Sequence, residues 1–248
     1  MIIEGIKYNS DTDSFDFDWK VDNPEDLIHL KLQRYNKLLS KKDGNKVYYA
    51  YKFNKDSKSD KNQELRKSIK YLDDKINKRD VDLMISKAAN SFNSIMPLSN
   101  FDLIVTPSST SKVLDLMKNF LHAKAGPNTL MASDLFVKNS IENIQFDQDK
   151  LNKLDDKNRD QVLKILNKTF SKEDYKLRSV PPRYRKFILN FIKLNTEAEK
   201  RVINRIANGK ILIVDDILTE GTTVKNINTI LTDLSASEIT SFVLLTDK

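Results

Sequence analysis

Cysteine is absent from the 248-residue chain, which excludes disulfides and thiolate metal sites and fits a reducing compartment. Histidine is nearly absent as well. With only His29 and His122, a multi-histidine metal centre is not expected. No run of eighteen apolar residues occurs, so no membrane span and no membrane partner are expected. The opening MIIEGIKYNSD lacks the basic-then-apolar order of a secretory signal, and a cytoplasmic location is the expectation. The hydrophobic fraction of 39% is somewhat low, and 31% of residues are charged, which describes a heavily solvated surface. At this length the chain can bury a sizeable core. It reads as an N-terminal extension over 1–45 followed by a domain over 46–248.

The charge is unevenly placed. Residues 1–30 carry a net of −6, and residues 31–79 carry +10 out of a whole-chain total of +7. The basic stretch has two readings, a nucleic-acid or polyphosphate footprint or a lysine-rich solvated face. Its charges are mostly Lys, and Gly-Arg-aromatic interleaving is missing, which favours the solvated face.

Residues 1–21 read as a β-hairpin about the polar turn NSDTDS, with Phe15, Phe17 and Trp19 in strict alternation. That stripe is read as core, with base stacking as the alternative. Asn23 and Pro24 then have the look of a helix start, and the spacing predicts a helix to about Leu39. KVYYAYKF, 46–53, reads as a strand, and NKDSKSDKN as a solvated loop. Leu65, Ile69, Leu72 and Ile76 predict one amphipathic helix. Asp80 is a candidate cap for the next, with Val81, Met84, Ile85, Ala88, Phe92 and Ile95 on its apolar face and Pro97 beyond its end. Residues 130–137 are expected to be extended, and Val162, Ile165 and Leu166 suggest a short helix. SKEDYKLRSVPPRYRK, 171–186, has two prolines and predicts an irregular loop. FILNFIKL, 187–194, reads as one strand, with Thr196 and Glu199 as a capping box for the helix that follows.

Two stretches carry chemistry. In FDLIVTPSSTSK, 101–112, a buried strand ends at Thr106 and Pro107. Ser108, Ser109, Thr110 and Ser111 then lead into a helix opened by Lys112. Small hydroxylated residues at a helix N-terminus make an anion site, although the same residues also cap helices generally. In ILIVDDILTEGTT, 211–223, four apolar β-formers precede Asp215 and Asp216. Thr219, Glu220, Gly221, Thr222 and Thr223 then lead into a helix with Val224, Ile227, Ile230, Leu231 and Leu234 at its apolar spacing. An unbroken apolar strand suits the middle of a parallel sheet. Its carboxyl end is where such sheets bind ligands. Gly221 allows close backbone approach, the helix amides suit a phosphate, and the two carboxylates suit vicinal hydroxyls. A phosphate cradle beside a diol clamp describes a ribose 5-phosphate site. The bland alternative is a buried strand with a capped turn.

ILIVDDILTEGTT closely resembles the phosphoribosyl pyrophosphate signature of type I phosphoribosyltransferases. The order YYAYKF, helix, DLIVTPSS, signature is also similar to the competence-associated branch of that family. The resemblance implies an α/β fold with a central, mostly parallel sheet flanked by helices, here with an N-terminal hairpin-plus-helix extension. It implies that Asp215 and Asp216 hold the ribose diol and meet metal indirectly, through ligand or water. Thr219, Glu220, Gly221, Thr222 and Thr223 would hold the 5′-phosphate, and Ser108, Ser109, Thr110, Ser111 and Lys112 the pyrophosphate. A flexible loop at 171–186 would close over the site and bring Arg178, Arg183, Arg185 and Lys186 to the pyrophosphate, with a solvated linker as the alternative for each. Mg²⁺ carried on the ligand is the implied cofactor. Phosphoribosyl pyrophosphate and an unnamed nitrogenous acceptor are the implied substrates, and a homodimer is compatible. Glu220 departs from the family, which usually has Thr, Ser or Ala there. A hood over the acceptor is expected from the N-terminal extension. The implied reaction is phosphoribosyl transfer. The rival is a non-catalytic relative that senses nucleotide in the same pocket and holds nucleic acid through residues 31–79.

Overall fold

The computed structural model describes residues 5–18, 30–32, 46–53, 60–171, 180–219 and 221–246. Its centre is a six-stranded sheet of β3 (Leu30–Leu32), β4 (Lys46–Phe53), β5 (Leu103–Val105), β6 (Leu130–Ala132), β11 (Lys210–Leu218) and β12 (Glu238–Thr246). The spatial order is β3-β4-β12-β11-β5-β6, and every pairing but the antiparallel β3–β4 edge is parallel. The chain is therefore α/β with a five-stranded parallel core, as expected.

Helices cover both faces, which explains why β11 reads as a continuous apolar run. Ile211 and Ile213 point to one cluster and Leu212 and Val214 to the other. The first cluster is closed by α5 (Asp156–Phe170), α7 (Thr196–Ile206) and α8 (Thr222–Asp233). The second is closed by α1 (Asp60–Tyr71), α2 (Lys78–Ile95) and α3 (Lys112–His122). The N-terminal hairpin of β1 (Gly5–Asn9) and β2 (Ser14–Asp18) joins that second cluster through Ile6 and Phe15. Phe15 is core, 1% exposed, and its amide donates to the Lys75 carbonyl at 2.7 Å. Phe17 packs against the same cluster, and Trp19 lies outside the described residues.

The pleat shifts at one row. The β11–β12 ladder passes over Asp216 and Leu244, and the β12–β4 ladder passes over Leu244 and Ala50. Beyond that row two sequence neighbours face the same side: Leu244 with Leu245, and Ala50 with Tyr51. The second acid of the pair lies on this row.

Several expectations are corrected. The helix expected to about Leu39 does not hold at Leu30–Leu32, which pair with the edge of β4. The rest of that span lies outside the described residues. An open strand edge is a strong template for backbone pairing, and here it overrides local periodicity. The helix through Ile76 stops at Tyr71. Leu72 takes a left-handed φ of 50°, and Asp73 accepts from the Ser68 hydroxyl at 3.0 Å and the Lys75 amide at 3.1 Å. Asn77, not Asp80, caps α2, accepting from the Arg79 amide at 2.9 Å. Ile95 is exposed, not on the buried face.

FILNFIKL is not one strand. Asn190, at φ 52°, divides it into β9 (Ile188–Leu189) and β10 (Ile192–Leu194). β9 pairs with β8 (Gln145–Phe146), and β10 with β7 (Phe136–Lys138). Asn is one of the few side chains that tolerate this conformation. The irregular loop expected at 171–186 contains a one-turn helix, α6 (Pro182–Arg185), with Pro182 at its first position. Residues 172–179 lie outside the described set. Asn195, not Thr196, caps α7, accepting from the Glu197 amide at 3.2 Å. Gly209 then admits a close approach: a Cβ there would lie 1.9 Å from the Arg205 carbonyl oxygen.

Candidate functional site

The two chemical stretches meet because β11 and β5 are parallel neighbours, with Ile213 paired to Val105. Their carboxyl ends, and the loops leading to α8 and α3, therefore open at one edge of the sheet. Asp215 and Asp216 lie inside β11, two residues before its end, and are buried at 7% and 3% exposure. Each carboxylate folds back on the following amide. Asp215 Oδ1 accepts from Asp216 N at 2.9 Å, and Asp216 Oδ1 from Ile217 N at 2.7 Å.

The two acids have different surroundings. Asp215 lines a small pocket of about 40 Å³ with Arg185, Leu218, Thr219, Gly221, Thr222 and Thr223. Burial, with the charge and hydrogen bonding of Asp216 next, holds the Asp215 carboxyl well above the usual range, and Lys70 opposes this. Asp216 meets Lys70 of α1, whose Nζ lies 3.3 Å from Oδ2. The contact is one of charge without directed hydrogen-bond geometry. It gives a buried anion the partner it needs. The same Lys70 offers its backbone carbonyl to the Ser111 hydroxyl at 3.4 Å, so the end of α1 touches both chemical stretches.

The loop before α8 is built around Gly221. It occupies the N-cap position at φ 72°, where a side chain would be strained, and it supplies no side-chain cap. Among the described residues no side chain caps the amides that open α8, and Thr222 and Thr223, which carry the first of them, line the pocket. Thr219, Thr222 and Thr223 line it. Glu220 lies outside the described residues.

The loop before α3 differs. Ser111 is buried and caps α3, accepting from the Leu114 amide at 3.3 Å. Ser109 accepts from the Ser111 amide at 3.2 Å. Ser108, Ser109, Thr110 and Lys112 are exposed at the edge. Thr106, just past β5, is fully buried, and its hydroxyl has no hydrogen-bond partner among the described residues.

Of the basic residues proposed for the lid, Arg185 comes to the pocket of the Thr219–Thr223 loop, held by its Nε donating to the Val180 carbonyl at 2.9 Å. Lys186 sits over the Phe187 ring at 5.1 Å. It lines a neighbouring groove. Arg183 lies over the Tyr184 ring at 4.6 Å and lines neither. Arg178 lies outside the described residues. Among the described residues no group of three or more His, Asp or Glu could hold a metal alone. In the basic stretch, Lys46 pairs with Glu238, Lys70 with Asp216, and Lys75 with Asp13 and Glu64. Hydrogen bonds to both acids and their charges raise the Lys75 ammonium above its ordinary value.

Lys70 was not legible as a site residue, since nothing local separates it from its many lysine neighbours. Arg185 carried a signal, its place in a Pro-flanked basic loop. No helix among the described residues is long and apolar enough to cross a membrane. No family model matches the chain, and no curated protein matches it either.

Proposed function

We propose that the protein binds a phosphoribosyl group and transfers ribose 5-phosphate from phosphoribosyl pyrophosphate to a nitrogen nucleophile, releasing pyrophosphate. The observation that carries this reading is the junction of β11 and α8. A buried carboxylate, an uncapped helix N-terminus turned by a left-handed glycine, three threonines and an arginine line one pocket there. The type I phosphoribosyltransferase resemblance and the parallel sheet agree with it. In this reading the α8 amides, the threonine hydroxyls and Arg185 take the 5′-phosphate, and Asp215 accepts from the ribose hydroxyls. The exposed hydroxyls of Ser108, Ser109 and Thr110 face the pyrophosphate. Bond breaking at the anomeric carbon needs no protein nucleophile, so these groups act by positioning and by stabilising the departing anion. Two carboxylates suit Mg²⁺ held chiefly by the ligand's own oxygens rather than by a protein cage. Such an ion, when bound, neutralises charge at the pyrophosphate.

The pocket of about 40 Å³ is far below the roughly 300–1,000 Å³ of ordinary small-molecule sites. Ligand entry therefore requires the site to open, and full use of the acid pair requires Lys70 to leave Asp216. That ion pair favours a second reading, a phosphoribosyltransferase-like protein that senses a nucleotide without turnover. Calorimetry with phosphoribosyl pyrophosphate and Mg²⁺ tests the shared claim. Asp215→Asn with Asp216→Asn abolishes binding if the claim holds, and unchanged affinity removes it. Turnover with a panel of nitrogenous bases then separates enzyme from sensor.

A further inference from the structure

A second, larger recess adjoins the small pocket. It has a volume of about 330 Å³ and shares Arg185 and Thr222 with the pocket of the Thr219–Thr223 loop. One wall is a single stripe of α8: Thr222, Lys225, Asn226, Thr229, Ile230 and Asp233. At 1.5 Å per residue that stripe runs roughly 16 Å away from the phosphate cradle. The opposite wall comes from α6, β9, β10 and α4 (Gln148–Leu151). Asn226 holds the two walls together by accepting from the Phe191 amide at 3.0 Å.

The chemistry of the groove changes along its length. Four cations line it: Lys225 from α8, and Arg185, Lys186 and Lys150 from the other wall, with Arg185 shared with the cradle. Asp147 offsets part of this charge, with Lys150 Nζ 2.6 Å from its Oδ2. Farther along α8 the lining turns to Thr229 and Ile230, and it ends at Asp233. A phosphate in the cradle would thus have more cationic surface beside it, in the groove that Asp215 does not line. An apolar and hydroxyl-lined stretch follows, and then a single acid.

From this continuity we infer that the preferred ligand is a ribose 5-phosphate extended through a second phosphate to a further sugar or nucleoside: a diphosphate-bridged ribose. The inference rests on the proposed phosphoribosyl reading of the small pocket and follows its second, nucleotide-sensing form, because such a ligand carries no pyrophosphate on its anomeric carbon to release. The second phosphate lies among Arg185, Lys186 and Lys225, and the outer moiety lies against Thr229 and Ile230, with its hydroxyls toward Asp233.

Calorimetry with ribose 5-phosphate and with ADP-ribose, on the full chain, tests the inference. ADP-ribose is expected to bind at least tenfold more tightly. Lys225→Ala removes a groove charge, and Thr229→Phe fills the groove midway. Both are exposed positions, where folding should be unaffected. Each variant should weaken ADP-ribose at least fivefold and leave ribose 5-phosphate within about twofold. If ribose 5-phosphate binds in an Asp215-dependent way but ADP-ribose gains nothing, the groove assignment is overturned while the phosphoribosyl reading stands. Equal weakening of both ligands overturns it too. If neither ligand binds in an Asp215-dependent way, both are overturned.

Discussion

Two strand-to-helix junctions lie side by side at the same edge of the sheet, and they treat their helix N-termini in opposite ways. At the β5–α3 junction Ser111 caps the helix, and Ser109 supports the Ser111 amide. At the β11–α8 junction Gly221 offers no side chain, and the first residues of α8, Thr222 and Thr223, line a pocket with Arg185 beside them. A row of serines and threonines before a helix is equally a cap and a ligand site on paper. What separates them is whether the protein's own oxygens already occupy the amides. By that measure α8 is the helix left open for a ligand, and α3 contributes its exposed hydroxyls rather than its N-terminus.

The contrast can be broken most forcefully at Gly221. Gly221→Val puts a β-branched residue at φ 72°, where L residues are strained by about 1–2 kcal/mol. Relief of that strain is expected to move the amides that open α8. Loss of two charge-assisted hydrogen bonds at about 1.5–3 kcal/mol each predicts at least a hundredfold fall in ribose 5-phosphate affinity by calorimetry. Arg185→Ala should cost about ten- to a hundredfold on the same assay, as one such contact is lost. A thermal melt run beside it checks that losing the Val180 contact has not loosened the loop.

Ser111→Ala is the matching change at the other junction. Loss of the cap predicts about 1 kcal/mol of destabilisation and a melting temperature lower by about 2–4 °C. Ribose 5-phosphate affinity should be unchanged, and a drop comparable to that of Gly221→Val would erase the distinction between the junctions. The smallest effect is expected from Asp215→Asn on stability. A carboxyl whose folded value is raised binds more protons folded than unfolded. Stability therefore falls as pH rises from about 3.9 toward the folded value. The amide removes that penalty. The variant should melt slightly higher than the parent at pH 7, and its melting temperature should vary less between pH 4 and 7. A lower melting temperature at pH 7 would show that Lys70 and Asp216 depend on the Asp215 charge.

How much of this was legible in the sequence depended on where the deciding interaction lies. Ile211–Val214, Leu103–Val105 and KVYYAYKF were readable because a strand covered on both faces is apolar throughout. The apolar face of α2 was readable because one side of it faces a core. The strand at Leu30–Leu32 was not, since it pairs with the edge of β4, about twenty residues away. FILNFIKL looked continuous because the break at Asn190 depends on two different partner strands, β8 and β7. The acid pair could be found by its pattern, but not the division of its surroundings. That division comes from Lys70 on a distant helix and from the row where the pleat shifts. The groove along α8 was invisible because α4, α6, β9 and β10 become one wall only in the folded chain.

The position of β12 bears on how the chain assembles. It is inserted between β4 and β11, and its contact from Glu238 to Lys46 spans 192 residues. Until β12 docks, β4 and β11 cannot belong to one sheet, and each carries an open, apolar edge. Pairings of such long sequence separation are slow to form, and exposed edges in the interval invite association between chains. Insertion of this strand is therefore the step on which refolding yield at high protein concentration should turn.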